Sequence, residues 1–223
     1  HVIPRTPIGI PFGDACLTGC GGYCTELKFW WHITLPQEII VQRTLIHLAD
    51  DSAGDLISIN ALEFVTVIIN YCATLSIISG SDLFEDDPFP VILCKTDNTS
   101  ALSWINHRCK GSLLGRALGR LLVGLLMDSP LGINATWINT HDNEVADGLS
   151  RFKSNSDNVS NDHPTFDYSL LQQKYEKTLS GCRLWLPSSR LISLIYTVLT
   201  TRQSPPLKEL RNFKPSDLGK LTT

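Results

Sequence analysis

The chain has 223 residues, 43% of them hydrophobic and 18% charged, with a formal net charge of -3. Such a composition describes an ordinary globular protein: one sizeable domain plus an extension, or two small domains. Bulk charge does not mark a nucleic-acid binder, so any polyanion site must come from local clustering. No signal peptide opens the chain, and no continuous apolar run reaches the ~20 residues that span a bilayer, so no membrane partner is expected.

Cys16, Cys20 and Cys24 are spaced four apart, and no nearby His or further Cys completes a zinc-type set. The preferred reading of the seven cysteines is reduced, partly buried thiols in a cytoplasmic or nuclear protein. The sequons at Asn98, Asn134 and Asn158 then carry no consequence. A start at His1 and a single methionine, Met127, suggest a piece of a longer polyprotein.

Pro4, Pro7 and Pro11 argue against a long central strand at the start, leaving room for a short one ending near Gly13-Asp14. Residues 15–31 read as a glycine-rich hairpin leading into an aromatic strand. Residues 35–56 fit a strand with a loop or a helix. Ile57-Ser58-Ile59 reads as a brief strand ending at Asn60, a good helix N-cap. Leu62, Val65, Ile68, Ile69, Cys72 and Leu75 then recur at helical spacing.

Residues 80–90 are an acidic, proline-containing loop, and 91–94 a buried strand of the kind covered by helices on both faces. A short helix is expected over 99–106. A wide leucine stripe marks a longer one from Leu113 to Leu126. Residues 133–139 read as a strand and 144–152 as a closing helix. The polar run 153–165 is a linker. Beyond it, 168–179 and 188–201 read as helices. The expected organisation is an α/β domain over 1–152, the linker, and a helical extension over 166–223 whose motifs carry no assignable chemistry.

Four carboxylates fall at informative places. Asp14 lies where the first strand turns into the hairpin, and Glu63 in the first turn of the long helix. Asp97 follows the 91–95 strand, at the carboxyl end where open α/β sheets gather ligands. Asp147 lies in the closing helix. Strand-end aspartates are common turn and capping residues; their joint arrangement is what points to chemistry. Acids brought to one point repel unless cations neutralise them, and hard divalent ions, Mg2+ first and then Mn2+, suit oxygen ligands. Two such ions about 4 Å apart can activate a water and stabilise the leaving oxygen of a phosphodiester.

The stretches Gly13-Asp14-Ala15, Ile59-Asn60-Ala61-Leu62-Glu63, Thr96-Asp97-Asn98-Thr99-Ser100-Ala101 and Asn143-Glu144-Val145-Ala146-Asp147-Gly148-Leu149-Ser150-Arg151 resemble the four signature blocks of retroelement ribonuclease H domains. They are similar to those of Gypsy-type and DIRS-type polyproteins, in the right order over residues 10–152. The resemblance implies a five-stranded mixed sheet flanked by helices. It also implies two-metal endonucleolytic cleavage of the RNA strand of RNA–DNA hybrids during reverse transcription, with an upstream reverse transcriptase in the same polyprotein. Asp14, Glu63 and Asp97 would be the core metal ligands, Asp147 a ligand of one ion, and His141 the histidine that assists product release. Only five residues separate His141 from Asp147, a short loop for the family, which leaves open whether activity is lowered or altered.

No acidic residue lies between Asp97 and Asp128, while Arg108, Lys110, Arg116 and Arg120 do. This basic region could hold backbone phosphates, or it could be the solvated face of a helix. Asn60, Asn98 and Ser100 could reach the minor groove, where 2′-hydroxyls distinguish RNA from DNA. Trp104 could stack on a sugar, with the core its preferred place. Two other readings stand beside the nuclease. One is an inactive ribonuclease H-like module that binds nucleic acid or scaffolds a polyprotein. The other, an integrase-type transferase, is disfavoured because the glutamate comes second rather than on a late helix.

Overall fold

The computed structural model describes residues 5–39, 57–79, 89–107, 112–151 and 173–222. Strands β1 (Phe12–Ala15), β2 (Gly19–Cys24) and β3 (Phe29–Thr34) form an antiparallel meander. β4 (Val91–Thr96) pairs parallel with β1, and β5 (Gly132–Trp137) parallel with β4. At the other edge β6 (Arg183–Pro187) runs parallel to β3, and β7 (Gly219–Leu221) antiparallel to β6. The result is one mixed sheet ordered β5-β4-β1-β2-β3-β6-β7.

Among the described residues the sheet therefore has seven strands where five were expected: β1–β5 lie within 1–152, and the extension, not purely helical, adds β6 and β7. The reason is the outer edge of β3, whose backbone groups need partners. β6 supplies them and at the same time buries Trp185, whose indole N–H donates to Ser76 Oγ at 2.8 Å. Residues 173–222 thus share a sheet and a core with the first part of the chain. The expected linker at 153–165 lies outside the described residues, as do most of 35–56, residues 80–88 of the acidic loop and 168–172 of an expected helix.

The long helix α1 (Ile59–Ile78) is apolar all round, as a helix enclosed by its own protein should be. By length and composition it could cross a membrane, yet almost all of its apolar window is buried inside the fold. Its cap corrects the reading of the sequence. Ile57-Ser58 forms no strand, and Ser58 is the N-cap, its hydroxyl accepting from the Ala61 N–H. Glu63 therefore sits one turn into the helix.

Gly13 and Gly22 let α1 settle on the sheet: a Cβ on either would come within 3.0 Å of Thr66 or Asn70. Asn70 uses that space, accepting from the Trp31 indole at 2.8 Å and donating to Phe12 O at 3.2 Å. Helices α2 (Thr99–His107) and α3 (Leu113–Leu126) pack on α1.

The opposite face carries α4 (Glu144–Arg151) over β1, β2 and β3. Beside it is the one-turn α5 (Glu176–Leu179), and the two share a smaller apolar cluster with Tyr23, Trp30, Tyr175 and Leu184. Helices α6 (Ser189–Thr201) and α7 (Leu207–Leu210) pack on α3. β4 is buried only at Ile92, Cys94 and Thr96; Val91, Leu93 and Lys95 are half-covered. The expected burial on both faces is thus met on one alone, because α4 covers the meander rather than β4.

Candidate metal centre

The parallel register pairs Phe12 with Lys95, so two residues further along Asp14 comes level with Asp97 just past the end of β4. Glu63 reaches the same point from α1, and its Oε1 accepts the Ala15 N–H at 3.0 Å. One ligand-type oxygen from each of Asp14, Glu63 and Asp97 lies within 4.8 Å of the others. Among the described residues, no other His, Cys, Asp or Glu side chains converge in this way.

Two of the three acids are out of water: Asp14 is 5% exposed and Glu63 3%. Burial pushes the Asp14 carboxyl up to about 6, against the pull of a Ser150 hydrogen bond, with the charges of Asp147 and Asp97 adding to the rise. Burial, followed by the charge of Asp14, pushes Glu63 up to about 9. Glu63 Oε2 is buried and, among the described residues, has no hydrogen-bond partner. A bare buried oxygen is costly unless something else satisfies it. Like charges within 4.8 Å of one another repel by at least about 3 kcal/mol at an effective dielectric near 20. A divalent cation answers both problems, so the donor set fits a hard metal ion held by Asp14, Glu63 and Asp97.

The fourth expected acid stands differently. Asp147 is close enough for its charge to act on Asp14 and Glu63. Its Oδ1, however, accepts from Arg151 Nε at 2.6 Å, one turn on, and it is not one of the three converging acids. His141 is exposed in the 3-10 turn Thr140–Asn143 that enters α4, and it too is outside the cluster.

Asn98 caps α2 through its side-chain oxygen and donates from Nδ2 to Asn60 Oδ1 at 2.9 Å, so these two expected binding residues hold each other beside Asp97. Ser100 is half-buried in the first turn of α2. Arg116 and Arg120 project into solvent from α3; Arg108 and Lys110 lie outside the described residues. Trp104 meets Phe64 edge to face, centroids 5.8 Å apart, and packs against the core. Cys16, Cys20 and Cys24 are free thiols that form no metal cluster among the described residues.

Sequence reasoning missed the groups that hold this centre together. Asn143, wholly buried, donates to Gly13 O at 3.2 Å. Ser150 donates to Asp14 Oδ2 at 2.6 Å. His32 contacts Leu149 O through Nδ1 at 2.6 Å. A carbonyl only accepts, so Nδ1 carries the proton, and burial holds the ring neutral by pushing it down to about 4. Ser150 and Asn143 stood within a quoted motif; His32, inside an aromatic strand, gave no signal. Comparison with known proteins identifies no family: no family model, curated protein or solved structure matches the chain.

Proposed function

We propose that the protein is a divalent-metal-dependent nuclease of the ribonuclease H kind, cleaving the RNA strand of RNA–DNA hybrids during retroelement reverse transcription. The observation that carries this reading is the convergence of three carboxylates from β1, α1 and the end of β4 around an unpartnered buried oxygen of Glu63. Asp14, Glu63 and Asp97 would hold Mg2+, with Mn2+ as a substitute, and Asp147 would join the site of a second ion after parting from Arg151. When bound, the ions supply charge for the phosphodiester oxygens and lower the pKa of a bound water.

The chain's own residues orient and bind. Asn60, Asn98 and Ser100 border Asp97 where the hybrid's minor groove would lie. Arg116 and Arg120, with Arg108 and Lys110, would hold backbone phosphates in a salt-sensitive way. His141, exposed beside α4, would assist product release. The expected partners are the hybrid and an upstream reverse transcriptase in a cytoplasmic or nuclear setting, in keeping with the free thiols.

The test is cleavage of an end-labelled RNA–DNA hybrid in Mg2+, compared with RNA alone and with EDTA. Glu63→Gln and Asp97→Asn are expected to abolish cleavage, and full activity in either variant would overturn the reading. The second reading, an inactive module that binds nucleic acid, draws on the ion pair that holds Asp147 to Arg151. Hybrid binding without cleavage by the unaltered protein would favour it.

A further inference from the structure

The last turn of α4 is fastened to the sheet at several points. Leu149 O accepts from His32, and Ser150 O from the Cys16 thiol at 3.1 Å. Beneath it the sheet has glycines: a Cβ on Gly21 would lie 2.5 Å from the Leu149 carbonyl carbon, and one on Gly19 would lie 2.7 Å from Ser150 O. The backbone at 149–150 therefore lies directly on β2 with no room to shift. From this rigid support the Ser150 hydroxyl, 1% exposed, meets two acceptors: Asp14 Oδ2 at 2.6 Å and the Asp147 backbone carbonyl at 2.8 Å. A hydroxyl has one proton, and a charged carboxylate is the stronger acceptor. Among the described residues, Asp14 Oδ1 has no such partner.

We infer that Ser150 is a positioning residue for the metal centre, tethering Asp14 through Oδ2 to the last turn of α4 and leaving Oδ1 aimed for the ion. The inference rests on the metal-binding reading above, and goes beyond it by assigning a role to a residue that is not itself a ligand. It also ties the cluster to α4, the helix that carries Asp147 in its first turn. A hydrogen bond from a rigid element fixes a ligand's orientation, and removing such a partner typically costs 10–100-fold in metal affinity.

The experiment measures Mn2+ binding to the full chain without substrate, reading free Mn2+ by electron paramagnetic resonance. Asp97→Asn tests the centre itself. If the unaltered protein binds no Mn2+, or Asp97→Asn binds it equally well, the metal reading fails. Given binding, Ser150→Ala is expected to weaken Mn2+ affinity by about tenfold or more. Cys16→Ala, which removes one fastening of the same turn but leaves the Ser150 hydroxyl in place, is expected to lower stability and to weaken Mn2+ affinity less than Ser150→Ala does. Ser150→Cys keeps a single γ atom, larger than oxygen and a weaker donor, and serves if the alanine variant does not fold; it too is expected to bind Mn2+ more weakly. Unaltered affinity in a folded Ser150 variant would overturn the inference.

Discussion

Glu63 has one oxygen on the Ala15 N–H and the other bare, in a place where water does not reach. Replacing it with glutamine keeps the shape and removes the charge. Metal-free Glu63→Gln is therefore expected to be at least as stable as the unaltered protein at pH 9, where about half of the native carboxyl is ionised against Asp14. The same variant should lose the rise in melting temperature that Mg2+ confers. Thermal unfolding with and without Mg2+ measures both, and a retained Mg2+ shift would contradict the assignment of Glu63 as a ligand. The chemical character of Glu63 and Asp97 was legible from their places beside a helix start and a strand end. The depth of Glu63 was not, since burial depends on how α1 lies across the sheet.

At the level of elements, the meander works because its glycines admit helices on both faces. Gly21→Ala would drive a methyl into the Leu149 backbone, which cannot retreat as a side chain could. A loss of about 2–3 kcal/mol in urea unfolding is expected, in the range of overpacked cores. The glycine-rich hairpin was readable from residues 15–31, but the partner of each glycine was not. β6 makes the complementary case. Trp185 is fully buried against α1, and Trp185→Ala should cost about 3–5 kcal/mol. If residues 173–222 fold as one unit with the rest, that variant shifts a single cooperative transition. A separate early transition would show the two parts to be independent.

For the whole molecule, the buried titratable groups set opposing pH trends. Asp14 and Glu63 have folded-state values raised to about 6 and about 9, so their contribution to stability is complete below pH ~4 and is lost as pH rises through those values. His32 is pushed down to about 4, so protonation of the unfolded chain removes stability as pH falls from ~6.5 toward 4. Metal binding displaces the carboxyl protons, and its apparent affinity rises with pH. Mg2+ should therefore raise the melting temperature more at pH 8 than at pH 6. Equal shifts at both pH values would show that the ion does not bind at these acids.

The sequence alone determined the α/β class, the leucine-striped helix at Leu113–Leu126, the strand before Asp97 and the identity of the converging acids. These depend on local periodicity and on residue types that mark strand and helix ends. Only the tertiary structure decided that three of the four carboxylates meet while Asp147 turns to Arg151. It also decided that Ser58 rather than Asn60 caps α1, that His32 and Ser150 brace the site, and that the extension supplies β6 and β7. Each of those outcomes depends on partners distant in sequence: Ser150 is 136 residues from Asp14, and His32 is 117 from Leu149. Local pattern carries no record of which distant groups the packing of α1 and α4 on the sheet will bring within hydrogen-bond reach.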